Sequence, residues 1–394
     1  MSLPIIRIQP QRHRRVESGH PWIYSNEIVM DQTAKAIEPG TLVEFRTHDK
    51  SFIGKGSFNH RSLIAGRIFT RKPLENIDGT FIRARLDDAL ALREQLATGP
   101  YYRLIHAEAD GLPGLIVDRF GPHCVLQFNT AGMDRLAPLV EEALTGIVNP
   151  ESIVLRNDSA SRELEGLPRE IKTLRGDMNG PIELHENGLV YFADPQTGQK
   201  TGWYFDQRDN RALVARYADT DTSLLDLYCH TGGFALQAAR AGAKVTGVDS
   251  SEAALELAAK AAAQNGLTGK CQWQRADIFA DLERRAKEGE KFEIAVADPP
   301  AFVKSRKDLS SGTRGYRKLV RLAAQVTAPQ GLLFIASCSY NMELPNFIEQ
   351  IARGLHEAGR AGRILHTTFA APDHPMHPHL PESAYLKALL IRLD

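Results

Sequence analysis

Apolar and polar positions change their rhythm part-way along the chain. Beyond Asp194, strand-length apolar runs at 224–228, 244–248, 293–297 and 332–336 alternate with stretches of helical periodicity. Consecutive parallel strands need a crossover of about helix length, so this alternation predicts βαβ units and a parallel sheet. Before Asp194 the rhythm is different. Residues 1–72 read as short alternating strands broken by turn chemistry at Glu38-Pro39-Gly40, Gly54 to Gly56 and Asn59-His60-Arg61, which predicts a small β-rich module. A bridging amphipathic helix is predicted over 74–94, on Ile82, Leu86, Ala89, Leu90 and Leu92. Strand-like runs at 102–107, 115–118 and 124–129, a helix over 133–144, and strands at 153–156 and 189–192 then make an α+β insert. The expected fold class is α/β in three parts: a β-rich part (1–72), an α+β middle part (73–190) and a Rossmann-like part (191–394). No repeat of solenoid period interrupts this order.

A length of 394 residues suits two or three domains, and 43% hydrophobic with 24% charged residues is the composition of a globular protein. No window approaches the ~18 consecutive apolar residues of a membrane span. The first fifteen residues lack an apolar stretch followed by a small-residue cleavage site, so a cytoplasmic protein is expected. Cys124, Cys229, Cys271 and Cys338 show no CxxC spacing, which speaks against a disulfide framework or an ordinary zinc site. The net charge of zero conceals an asymmetry, because residues 1–72 hold twelve Lys/Arg against six Asp/Glu. A basic module suits a phosphate-rich partner, although a solvated face has the same composition.

Candidate chemistry begins where the strand at 224–228 runs into Cys229-His230-Thr231-Gly232-Gly233-Phe234 and a helix opens. Glycine lets backbone N–H groups approach a ligand closely, and a helix N-terminus favours an anion. A second strand, Val245-Thr246-Gly247-Val248, ends in Asp249, where Rossmann-type sheets bind ribose hydroxyls. Ser250 or Ser251 then caps a helix over 252–265 that stops at Gly266. Asp277 follows the next strand and Asp298 the fourth. Any one of these acids alone would more often cap a helix than bind a ligand. The complete G-x-G-x-x-G of dinucleotide binders is absent, which argues against a nicotinamide enzyme.

Four acids at consecutive strand ends, with a Gly-Gly turn at the first, resemble the class I methyltransferases. The resemblance implies S-adenosylmethionine as cofactor. Asp226 and Gly232 would line its methionine end, Asp249 its ribose and Asp277 its adenine, with Tyr228, Thr231, Phe234, Ser250, Ile278 and Asp298 beside them.

Asp298-Pro299-Pro300-Ala301-Phe302 sits where amino-group methyltransferases place an aromatic directly after the second proline. Here the aromatic is one residue later, which weighs against nitrogen methylation without excluding it. After the strand at 332–336, Ser337-Cys338-Ser339 puts a thiol at the ligand edge of the sheet. A thiolate adding to carbon 6 of cytosine makes carbon 5 nucleophilic enough to take a methyl group. The bland alternative is a buried cysteine packing as a small hydrophobe. Cys124 and Cys271 fall in strands expected to be core, and Cys229 lies beside the cofactor turn.

Together with these motifs, Gly19-His20-Pro21-Trp22, Arg67-Ile68-Phe69, residues 108–115, Asp118-Arg119-Phe120-Gly121, residues 200–208 and Gly315-Tyr316-Arg317 resemble the RlmI family of bacterial 23S rRNA cytosine-5 methyltransferases over nearly the whole chain. The resemblance implies an N-terminal PUA domain, a middle EEHEE domain and a catalytic class I methyltransferase domain. It further implies 5-methylcytosine as product, Cys338 as nucleophile, Asp298 holding the cytosine edge, and Gln207 and Arg208 near the cofactor. The partner would be 23S rRNA or a large-subunit assembly intermediate, with no membrane and with a homodimer as a further expectation. Ala301 departs from the lysine of the family pattern, and Lys304 is the nearby candidate to replace it. Trp22, Tyr24, Arg12, Arg14 and Arg15 either stack on RNA or, for Trp22, belong to a small core. His374, His377 and His379 read as a turn rather than a metal site, and no metal is expected. Two rival functions stay open: methylation of a guanine or adenine nitrogen, and a non-catalytic RNA-binding protein on a methyltransferase fold.

Overall fold

The computed structural model describes residues 3–96, 99–178, 180–198 and 201–394. The chain divides into two compact units, one made of Met1–Ile182, Asp194–Phe205 and Pro372–Ser383, the other of Glu183–Ala193, Asp206–Ala371 and Ala384–Asp394.

In the first unit, strands Ile5–Arg7, Thr41–Arg46, Phe52–Phe58, Gly66–Thr70 and Trp22–Ile23 form one sheet in that spatial order. Ile8, Val43, Phe45 and Phe58 fill its core. Gly54 and Gly56, expected to mark a turn, lie inside the Phe52–Phe58 strand. The neighbouring strand runs so close that a Cβ on Gly56 would collide with the Arg67 carbonyl, and one on Gly54 would sit 2.9 Å from the Thr70 carbonyl. Close backbone approach, not turn geometry, requires the glycines.

A second sheet has the order Glu170–Arg175, Ser152–Asn157, His123–Phe128, Leu115–Phe120 and Tyr101–His106. Helices Gly79–Leu96 and Ala137–Val148 pack Phe81, Ile82, Leu86, Val140 and Leu144 into the same core as Leu104, Val117 and Leu126. The first of these helices starts later than the periodicity suggested, because the Asp78 carboxylate accepts from the Phe81 N–H at 3.1 Å and so caps it. The helix expected over 133–144 is two helices, Ala131–Arg135 and Ala137–Val148. Pro138 has no N–H to continue the first ladder and suits the opening turn of the second.

Buried charge pairs tie distant segments into this unit. Arg103 grips Asp118 through two bonds of 2.8 Å, and the Thr201 hydroxyl donates to the same carboxylate at 2.6 Å. Fully buried Arg93 pairs with Asp110 and donates to the Asp373 carbonyl at 3.1 Å. Between the two sheets, Glu165 accepts from Asn59, Ser62 and Arg67. Trp22 donates its indole N–H to Glu108 at 2.7 Å with Arg67 over its ring, and Arg15 lies over Tyr24. The fold therefore employs Trp22, Tyr24 and Arg15 itself, whereas Arg12 and Arg14 are exposed.

The second unit is built on a seven-stranded sheet of order Cys271–Arg275, Lys244–Asp249, Ser223–Leu227, Phe292–Ala297, Thr327–Ser337, Lys387–Leu393 and Gly362–Phe369. The first five strands are parallel, Lys387–Leu393 runs antiparallel to Thr327–Ser337, and Gly362–Phe369 runs antiparallel to Lys387–Leu393, so one strand alone of the seven is reversed. Strand order reverses after Ser223–Leu227, and the carboxyl ends of this strand and Phe292–Ala297 flank the switch point. Cys271 opens a strand at the edge of the sheet and is only half-buried, unlike the core position expected for it, because among the described residues no strand pairs with its outer side. Among the described residues no helix is long and apolar enough to cross a membrane.

Gly56→Ala is expected to destabilise the first unit by about 2 kcal/mol or more, since the added methyl meets backbone that can move only by breaking the strand pair. A thermal melt followed by circular dichroism checks this, and a shift of under a degree would refute it.

Candidate active site

Asp226 sits one residue before the end of its strand and is 1% exposed. Its Oδ2 accepts from the Ala235 N–H at 2.9 Å, which moors the following helix, while Oδ1 is buried with no hydrogen-bond partner. Burial pushes the carboxyl up to about 8, opposed by the Ala235 bond and reinforced by the charges of Asp298 and Asp249. Thr231, 1% exposed, also has a buried hydroxyl oxygen without a partner. Two orphaned polar atoms, one at the strand end and one in the turn that follows it, fit a ligand that brings hydrogen-bond donors of its own.

The turn itself is strained. Tyr228 and His230 take φ of +61° and +50°, and Gly232 takes +84°. Non-glycine residues there cost of order 1–3 kcal/mol each, so the surroundings must hold them. They do so through Cys229 N–H to the Val248 carbonyl (3.2 Å), His230 N–H to Asp249 Oδ2 (2.9 Å) and Gly232 N–H to the Cys229 carbonyl (2.8 Å). A Cβ on Gly232 would lie 2.8 Å from the Trp273 ring, and one on Gly247 2.5 Å from the same ring. Trp273 pairs in register with Gly247 and explains both glycines. The sequence reading passed over it, because which aromatic lies opposite a strand glycine is fixed only by register across the sheet.

Asp249 is 9% exposed, and its second oxygen accepts from the Ser251 N–H at 2.9 Å. Ser251, rather than the exposed Ser250, caps the next helix. Asp277 is exposed and caps the Ile278–Glu288 helix through the Ala280 N–H at 2.9 Å. Tyr228 is raised by burial first and then by its neighbours Asp277, Tyr316 and Asp249. Ile278 is buried, and Phe234 turns its ring onto Phe334 at 5.0 Å, inside the core. Gln207 is buried and accepts from Asn210 at 2.6 Å, and Arg208 pairs with Asp209 at 3.2 Å. Lys200, at the start of the stretch that contains them, lies outside the described residues.

Asp298 follows its strand with its N–H 3.5 Å from the Leu227 carbonyl, so it borders Asp226. Cys338 is a half-buried thiol whose Sγ lies 3.9 Å from the Pro299 carbonyl. Buried Tyr316 ties the turn around it, receiving from Ser337 Oγ at 2.9 Å and bonding Ser339 Oγ at 2.8 Å. The Val303 N–H donates to Ser339 Oγ at 3.1 Å, so the Asp298–Phe302 segment and the cysteine turn are held together. Half-buried Phe302 packs its ring against that of Tyr316 at a tilt of 44°, centroids 4.8 Å apart. Ala301 is half-buried and Lys304 exposed. Lys387, which the sequence reading missed, donates to the Ser339 carbonyl at 2.6 Å and the Tyr385 carbonyl at 3.1 Å. In the first unit His374 is buried against Asp373 and His106, and His377 and His379 pack on each other. Among the described residues no cluster of three His, Cys, Asp or Glu side chains is arranged to hold a metal ion.

Residues 6–71 match the PUA-like domain family, and residues 218–370 match a methyltransferase domain family. The whole fold is similar to a structure described as a methyltransferase complexed with SAH (TM-score 0.85, 18% identity, 99% of this chain and 100% of that one). It is likewise similar to a structure described as a SAM-dependent methyltransferase from Streptococcus mutans (TM-score 0.83, 19% identity, the same coverage). The sheet order, the acids at its carboxyl edge and these likenesses define a class I S-adenosylmethionine-dependent methyltransferase with an N-terminal PUA-like domain. The chain is 35% identical to the ribosomal RNA large subunit methyltransferase I of Pseudoalteromonas atlantica, covering 98% of this chain and 99% of that protein. It is 38% identical to that of Aeromonas hydrophila, covering 97% of each. It belongs to the ribosomal RNA large subunit methyltransferase I family.

The Asp226 carboxyl lies well above its unfolded value of about 4, so its contribution to stability is present at low pH and is lost as pH rises towards 8. Without ligand, Asp226→Asn should therefore gain on the wild type by on the order of a few kcal/mol between pH 5 and pH 8. Parallel melting-temperature curves for the two proteins across that range would contradict it.

Proposed function

We propose that this protein methylates carbon 5 of a cytosine in large-subunit ribosomal RNA, with Cys338 as the covalent nucleophile. The observation that carries the reading is a thiol anchored beside Asp298-Pro299 on the carboxyl edge of a methyltransferase sheet. Family membership over nearly the full length supports ribosomal RNA as the substrate class.

S-adenosylmethionine, when bound, supplies an electrophilic methyl group. Asp226 Oδ1 and Thr231 Oγ1 would receive its methionyl ammonium, Asp249 its ribose and Asp277 its adenine. Tyr228, Gly232, Ser250, Ile278, Gln207, Arg208 and the backbone at Phe234 would border it. Cys338 Sγ adds to carbon 6 of the cytosine, and the displaced π pair makes carbon 5 the nucleophile. Asp298, carrying a proton on its carboxyl, would donate to ring N3 and support the charge that develops there. Carbon 5 would take the methyl group as that group's bond to the cofactor sulfur breaks, leaving S-adenosylhomocysteine, and loss of the carbon-5 proton would then return its electron pair to the ring and expel Cys338 as thiolate. The basic N-terminal part, with Arg12 and Arg14 exposed, supplies RNA affinity. The division at 1–72, 73–190 and 191–394, a cytoplasmic location and a homodimer belong to the same proposal.

Bisulfite sequencing of rRNA from deletion cells tests it. One cytosine should lose protection, and the wild type but not Cys338→Ala should restore it; unchanged cytosines throughout would move nitrogen methylation to the front. In a calorimeter, Asp226→Asn should weaken S-adenosylmethionine binding at least tenfold, about 1.4 kcal/mol. A wild type that binds none would favour the non-catalytic reading.

A further inference from the structure

Lys387 is out of place by the pattern of its strand. The Lys387–Leu393 segment is Lys-Ala-Leu-Leu-Ile-Arg-Leu, buried at every position but Arg392, and Lys387 itself is 4% exposed. A buried ammonium is costly unless an opposite charge compensates it. Both acceptors of its Nζ are neutral backbone carbonyls, those of Ser339 and Tyr385, and no carboxylate among the described residues lies within ion-pair distance. The antiparallel register sets Lys387 opposite Ser337, the residue before Cys338, and its bond to Ser339 reaches the residue after it. The ammonium is thus clamped beneath the three-residue turn that carries the thiol.

We propose that Lys387 is a positioning residue whose ammonium holds Cys338 as thiolate at neutral pH, so that the nucleophile is ready before RNA arrives. The inference rests on the reading of Cys338 as nucleophile. Burial lowers Lys387 to about 8, and Cys338 is the group that pulls it back up. Such coupling is reciprocal, so an ammonium stabilised by the sulfur stabilises the thiolate equally. The other titratable groups around the pair are Tyr316, bonded to Ser337 and Ser339; Tyr385, whose hydroxyl donates to Asp206 at 2.6 Å; and Asp298 on the turn against the sulfur. Tyr316 is raised by burial and stays neutral, and Lys387 is the cation bonded to this turn among the described residues.

The test is the pH profile of Cys338 alkylation by iodoacetamide in the ligand-free protein, read on the Cys338 peptide by mass spectrometry. The wild-type midpoint should lie below the ordinary thiol value of about 8.5. Lys387→Gln keeps a donor to the Ser339 carbonyl without the charge. It should raise the midpoint by about one unit and slow alkylation at neutral pH about tenfold, while Lys387→Arg, which keeps the charge, stays within about threefold of wild type. A folded Lys387→Gln protein whose profile superimposes on wild type overturns the proposal. Should Lys387→Gln not fold, the linkage is read from the other side: in Cys338→Ala, the Lys387 midpoint, followed by the 13Cε resonance of labelled lysine, should fall by at least about half a unit, and an unchanged midpoint overturns the proposal equally. Neither readout needs RNA, so failure of the cytosine assignment in the bisulfite experiment would be seen separately.

Discussion

Where the sheet reverses its strand order after Ser223–Leu227, the right-handed crossovers on either side carry their helices to opposite faces, and the carboxyl ends of two neighbouring strands stay uncovered. Everything chemical in the second unit hangs on that opening. Asp226 and the strained Tyr228–Gly232 turn occupy one side, Asp298 and Pro299 the other, and Cys338 arrives from the next strand out. A sheet with strands in sequential order would carry the same residues but scatter them.

Polarity inside the opening is kept at a cost to stability. Asp226 is buried with one oxygen unmatched, Thr231 likewise, and two non-glycine residues are held in left-handed backbone. Sites where local rules are broken while the surroundings are well satisfied are where function is expected. The surroundings here are the hydrogen bonds of Asp249, the Trp273 ring against two glycines, and the Tyr316 hydroxyl joining two serines. Each removes freedom from a side chain or turn that a ligand needs already in place.

The first unit follows another logic. Its long-range ties are buried ion pairs and carboxylates that each receive several donors: Asp118 from Arg103 and Thr201, Glu165 from Asn59, Ser62 and Arg67. Such pairs contribute little net stability, but removing one partner leaves an uncompensated charge, so they enforce a single arrangement. Residues that look like exposed RNA contacts in the sequence, Trp22 and Tyr24, are in part taken up by these ties.

By itself, the sequence determined the alternation of strands and helices, the run of acids at strand ends, the glycine turn and the thiol in Ser337-Cys338-Ser339. All of these are local: apolar periodicity and turn chemistry act between residues close in the chain. It also carried the family likeness, through motifs spread over the whole length. Only the tertiary structure decided that Gly54 and Gly56 serve a close strand pair, that Phe234 faces the core, that Trp273 accounts for Gly232 and Gly247, and that Lys387 lies under a cysteine 49 residues earlier. The glycine, Trp273 and Lys387 cases depend on strand register across a sheet and the Phe234 case on how its helix packs on that sheet; both are set by which faces are buried together, which no short stretch of sequence records.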